Sequence, residues 1–128
     1  MRVLKTKNFA RWARKQRLDD RLLAVTVTEM RHGLVDANLG GGLLKKRVAR
    51  PGGGKRGGYR AFLASNERDR WIFMYGFAKK ERDNLNDDEL SDLKRIAQAY
   101  LAMSEGAIAR ALYSGDLQEI TYGETQAS

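Results

Sequence analysis

The chain contains no cysteine, which removes disulfide bridges and thiolate metal sites from its chemistry. Its single histidine, His32, is too few for a conventional zinc site. Apolar runs such as Trp71 to Met74 are far too short to cross a bilayer. The opening residues, Met1-Arg2-Val3-Leu4-Lys5, reach charged side chains at once and lack the apolar core of a signal peptide. No membrane association is expected, and the cytoplasm is the expected location. Acidic residues are scarce in the first half: residues 1–60 hold 16 Lys/Arg against 4 Asp/Glu, and there is none from Ala37 to Asn66.

What is present bounds the answer further. A chain of 128 residues with 42% hydrophobic content is one folded domain, able to bury a core without covalent staples. The formal net charge is +8, concentrated in the first 60 residues. Lys45, Lys46, Arg47, Arg50, Lys55, Arg56 and Arg60 fall in the acid-free window. Releasing counterions from phosphate makes such a window an attractor for RNA or DNA.

Periodicity divides the chain into elements. Arg2 to Lys5 reads as a strand. Asn8 is a candidate cap for a helix that places Phe9, Trp12 and Ala13 on one face. Asp19 or Asp20 can cap a second helix, with Leu23, Val27, Met30 and Leu34 as its stripe and Gly33 at its end. Its Val25-Thr26-Val27-Thr28 segment is β-branched, but the helical spacing runs longer than the alternation. Gly40-Gly41-Gly42 reads as a turn. Strands are predicted over Leu43–Ala49, Tyr59–Ser65 and Arg70–Phe77, the last apolar on both faces as a central strand is. Asn86 and Glu89 form a capping box for a helix with Leu90, Leu93, Ala97, Tyr100 and Leu101 inward. Ser104 restarts a short helix that Gly115 ends, Leu117–Tyr122 reads as a strand or an arm, and a loose tail is expected from Gly123. The expected architecture is α+β, in the order β-α-α-β-β-β-α-α, with helices packed on a small antiparallel sheet.

Few residues offer site chemistry. Gly52-Gly53-Gly54-Lys55 lacks the Ser or Thr of a phosphate-binding P-loop, because Arg56 follows. The glycines still let a ligand approach the backbone and leave Lys55 and Arg56 unobstructed. Arg60 begins one strand, and Lys79 and Lys80 end the next, so an antiparallel hairpin can bring them together on a rigid face. On composition alone a solvated strand-to-helix turn is the better account of Lys79, Lys80, Glu81 and Arg82. His32, without a nearby carboxylate or serine, reads as structural. Trp12, Trp71, Phe73 and Tyr75 read as core, and Asp87-Asp88 as helix N-terminal charge. Tyr59 beside the glycine loop can either stack a base or pack.

Leu43-Leu44-Lys45-Lys46-Arg47-Val48-Ala49, Gly54-Lys55-Arg56-Gly57-Gly58-Tyr59-Arg60, and Tyr75-Gly76-Phe77-Ala78-Lys79-Lys80-Glu81 with Leu85 together resemble the RelE/ParE toxin superfamily, nearest to its HigB-like branch. The resemblance covers residues 1–103, leaving 104–128 as an extension with a short helix and a loose tail. It implies the toxin of a type II toxin–antitoxin system, a ribosome-dependent messenger-RNA endonuclease that inhibits translation without metal or cofactor. Its implied partners are a cognate antitoxin encoded nearby, the ribosome and messenger RNA. By the resemblance Arg60, Lys79 and Lys80 are catalytic, and Lys45, Lys46, Arg47, Lys55, Arg56 and Arg82 bind RNA phosphate. Some relatives carry a tyrosine after the basic segment, where Asn86 stands here. Two alternatives share these residues: a ParE-like toxin acting on DNA gyrase without nuclease activity, and a non-catalytic RNA-binding module.

Overall fold

A computed structural model describes residues 1–52 and 58–121. The elements, in chain order, are β1 (Arg2–Thr6), α1 (Lys7–Lys15), α2 (Asp20–Arg31), β2 (Ala37–Gly40), β3 (Leu43–Val48), β4 (Tyr59–Ser65), β5 (Arg70–Ala78), α3 (Asp87–Ala102), α4 (Glu105–Ser114) and β6 (Leu117–Glu119). The strands form one six-stranded sheet in the order β2-β3-β4-β5-β1-β6. Every pairing is antiparallel except β1 with β5, which run parallel. The α+β class is therefore as expected from sequence; the parallel pair and β2 are added, and β6 is the strand form of the segment read as a strand or an arm.

The sheet separates two cores. Phe9 and Ala13 of α1 and Leu23, Val27 and Met30 of α2 pack on Leu44, Val48, Ala61, Leu63, Trp71 and Phe73. On the opposite face Ala97 of α3 and Ile108 of α4 pack on Leu4, Leu43, Phe62, Ile72, Met74 and Phe77. Strand alternation deals these residues to the two sides.

Local chemistry explains the helix ends. Thr6 caps α1, its Oγ1 accepting from the Phe9 amide at 3.1 Å, so the cap is the last residue of β1 and not Asn8. Asp19 caps α2 through the Leu22 amide at 2.9 Å. The β-branched run of α2 stays helical because Val27 packs into the core, and the buried Thr26 hydroxyl is satisfied by donating to the Leu22 carbonyl at 2.9 Å. Helix α2 stops at Arg31, which leaves Leu34 exposed beyond it and off the apolar stripe.

Three glycines reverse the chain between β2 and β3 with φ of +88°, +63° and +81° at Gly40, Gly41 and Gly42. β2 ends inside this run and carries a register shift between Asn38 and Gly40, and so escaped the sequence reading. The shift between Phe62 and Leu63 has more effect: Phe62 faces Tyr75 and Leu63 faces Phe73, so Met74 is an extra residue in β5. It moves Tyr75 and Phe77 to the α3 side and Gly76 to the α1 side. There Gly76 lies under Trp12, where an added Cβ would sit 2.4 Å from the indole.

Residues 104–120, set apart on sequence as an extension, are built into the same body. Leu4 and Thr6 of β1 pair with Glu119 and Leu117 of β6, and Ile108 and Leu117 are wholly buried. Arg70 joins α3 to α4: its guanidinium donates to the carbonyls of Tyr100 at 3.0 Å and Met103 at 2.8 Å and pairs with Glu105 at 3.0 Å. These bonds satisfy carbonyls that a helix end leaves open. The expected loose tail from Gly123 lies outside the described residues.

Candidate nucleic-acid interface

Register brings the cations together. Arg47 of β3, Arg60 of β4 and Phe77 of β5 are consecutive partners across the sheet, and Lys45, Phe62 and Tyr75 form the adjacent row. Both rows face the α3 side, at the end of the sheet where β4 begins and β5 ends. Arg60 sits at the centre. It is only 8% exposed, and its one hydrogen bond to a described residue is a 3.4 Å contact with the Tyr59 carbonyl. Among the described residues no carboxylate pairs with it. A buried guanidinium without a counter-charge is costly, because its desolvation is not offset by an ion pair.

The flanking cations are held more firmly. The Arg47 side chain pairs with Asp36 at 3.2 Å, and its amide also donates to that carboxylate. Burial opposes ionisation of Asp36, but the hydrogen bonds and charge of Arg47 outweigh it and hold the carboxyl below the usual range. Lys45 reaches the Asn84 side-chain oxygen at 3.4 Å. Arg82 lies over the Phe77 ring, 5.0 Å from its centroid, and donates to the Tyr75 hydroxyl at 3.3 Å. Both its terminal nitrogens bond Glu89, one at 2.9 Å. The hydrogen bond from Arg82, helped by the Asn86 amide, lowers the Glu89 carboxyl to about 2. The same partner raises Arg82.

Some candidates fall elsewhere. Lys46 does not belong to this surface: the pleat turns it to the α2 side, where it is 3% exposed and pairs with Glu29 at 3.0 Å. Three consecutive cations on a strand cannot share a face, because successive side chains point oppositely. Tyr59 also faces α1 and packs edge-on against Trp12, so it is a core residue. Lys79 and Lys80 are exposed in the turn after β5, and the Lys79 amide donates to Gly58 at 2.9 Å, at the Arg60 end of the sheet. Lys55 and Arg56 lie outside the described residues. Asn86 is occupied by the α3 capping box, accepting from Glu89 at 2.8 Å. His32 is an exposed helix-end residue bonded to Thr28.

Tyr75, Phe77 and Asn84 join this surface although sequence reasoning did not select them. Alternation from Phe73 would have sent Tyr75 and Phe77 to the opposite core, and no residue type near Met74 announces the bulge. No helix among the described residues is long and apolar enough to cross a membrane.

Helices on both faces of a mostly antiparallel sheet, with one end of one face lined by Arg47, Arg60 and Lys45, define a small α+β protein that presents a cationic sheet surface. Residues 1–120 match the family described as RelE toxin of the RelE / RelB toxin-antitoxin system, and the chain belongs to that family. It is accordingly the toxin of a type II pair, with an antitoxin as its implied partner. No curated protein matches the chain.

Proposed function

We propose that this toxin is a messenger-RNA endonuclease that acts on the ribosome and needs no metal. The observation that carries the reading is Arg60, a nearly buried arginine without a carboxylate partner among the described residues, held near the start of β4 between Arg47 and Phe77. A rigid, water-poor donor aimed at developing negative charge is what stabilising a phosphoryl transition state requires. In the proposed reaction the 2′-oxygen forms a bond to the adjacent phosphorus and the bond to the 5′-oxygen breaks. The products are a 2′,3′-cyclic phosphate and a 5′-hydroxyl end. Arg60 offers its fork to the non-bridging oxygens. Arg47 and Lys45 hold the flanking backbone, and Lys79 and Lys80 accept the 2′-hydroxyl proton and protonate the leaving oxygen. Arg82 has its charge met by Glu89, which suits it to shape the surface together with Phe77 and Tyr75 more than to bind phosphate directly. A ribosome-directed activity places the protein in the cytoplasm.

Expression without an antitoxin tests the reading. Growth should stop, and new 5′ ends should map within translated messages. Arrest with intact messages and trapped gyrase–DNA complexes would overturn the nuclease assignment. Healthy growth with abundant folded protein would overturn the toxin activity itself.

A further inference from the structure

The sheet's opposite side carries a second cationic surface that the proposed cleavage does not use. On α1, Lys7, Arg11, Arg14 and Lys15 recur at i, i+4, i+7 and i+8, and all are exposed while Phe9, Ala10 and Ala13 are buried. Arg17 and Arg21 extend the stripe into α2, and both are exposed. Residues 7–21 thus hold six cations and two carboxylates, and both carboxylates are engaged: Asp19 caps α2, and Asp20 pairs with Lys5 at 2.6 Å. Among the described residues no carboxylate pairs with Lys7, Arg11, Arg14, Lys15 or Arg17. A cleft of about 450 Å³ opens beside Arg14, Arg17 and the Lys5–Asp20 pair, and gives the stripe concave relief.

We infer that the outer face of α1 is a docking surface for the phosphate backbone of folded RNA, separate from the face that holds Arg60. Composition favours RNA over an acidic protein. A protein interface needs an apolar or aromatic centre fully removed from water. The large hydrophobic residues exposed among those described are Met1, Val25, Leu34, Ile96 and Tyr113, and none lies on α1. A phosphate-binding surface needs only positioned cations, because counterion release supplies its affinity. Two cationic faces on opposite sides of one sheet let the protein seat on structured RNA while a single strand threads the other face.

The test replaces three of these cations with glutamine, which keeps helix propensity. Arg11→Gln/Arg14→Gln/Lys15→Gln is compared with Arg31→Gln/Arg68→Gln/Arg110→Gln, which removes the same charge from exposed positions elsewhere. Both are titrated against a 20-base-pair RNA duplex across a salt series, with folding checked by thermal melting. The α1 variant should lose roughly tenfold in affinity, and its log K versus log salt slope should flatten by about 2 to 3, near 0.9 per lost contact by analogy with double-stranded DNA. The control variant should stay close to wild type, and so should folded Arg60→Ala. Equal losses in the two triple variants would reduce the surface to net charge alone and overturn the inference. Unchanged duplex binding with weakened binding of polyglutamate would assign α1 to an acidic protein and overturn it likewise. If the triple variant misfolds, Arg11→Gln and Arg14→Gln singly should each remove about one unit of slope, and an unchanged slope in both would defeat the proposal. Duplex binding requires no cleavage, so its outcome is independent of whether Arg60 is catalytic.

Discussion

At the residue scale, the role proposed for Arg60 sets cleavage against stability. Its charge is withdrawn from water without an ion-pair partner among the described residues, a cost that the proposed role would offset. Replacing it with methionine keeps the volume and removes the buried charge. Arg60→Met should therefore be at least as stable as the native chain, gaining about 1–3 kcal/mol by chemical denaturation. Its single-turnover cleavage on the ribosome should fall about 10²–10³-fold. A large loss of stability would show that the guanidinium is a structural group, and wild-type cleavage by the folded variant would remove it from the mechanism. Lys79 behaves oppositely, because it is exposed. Lys79→Ala should leave stability nearly unchanged. If Lys79 moves a proton, cleavage should drop about 10²–10⁴-fold with an altered pH–rate profile.

At the element scale, the β5 bulge and the start of α3 build the surface around Arg60. The bulge sends Tyr75 and Phe77 to the α3 side and puts Gly76 under Trp12. Gly76→Ala has no room for its methyl group and should cost about 1–3 kcal/mol, read from denaturant midpoints. A neutral outcome would mean that Trp12 moves freely. The N-terminus of α3 is fastened by Glu89, which completes the capping box and grips Arg82. Glu89 is depressed from 4.5 to about 2 in the folded chain. Its contribution to stability is therefore complete above pH 4.5 and disappears as pH falls toward 2. The native chain should lose stability across that window more steeply than Glu89→Gln, which has no carboxylate to titrate there. Parallel stability curves would show that the pair does not hold the helix in solution.

For the whole molecule, the two halves of the chain interlock and do not form separate layers. β1 lies between β5 and β6, so the first and last strands close the sheet together, and α4 covers a core that Leu4 begins. Removing residues 104–120 would strip Leu117 and Ile108 from that core and should leave an insoluble or unfolded product, detectable by loss of the cooperative melt. The proposed cleavage makes a further demand on the intact protein. Trace chelator that leaves the ribosome assembled should not abolish it, since Arg60 and the lysines carry the charge and the protons. Loss of cleavage on chelation, with restoration by magnesium on intact ribosomes, would require a metal step.

The sequence by itself determined the α+β class, the three long strands, the helices and most of their caps. Those features rest on local chemistry: hydrophobic period, glycine at reversals, and side chains such as Asn86 and Glu89 that satisfy nearby amides. It also raised the expectation that Arg60 and the acid-free window meet phosphate. Only the tertiary structure decided which cations stand together. Lys45 and Arg47 stand beside Arg60, while Lys46, their immediate neighbour in the chain, is buried against Glu29. That division follows from strand alternation once register is fixed, and register is set by partners remote in sequence. The bulge at Met74, the pairing of β6 with β1 and the capture of Arg82 by Glu89 likewise depend on contacts between elements. No local pattern encodes them, because their free energy exists only when both partners are already in place.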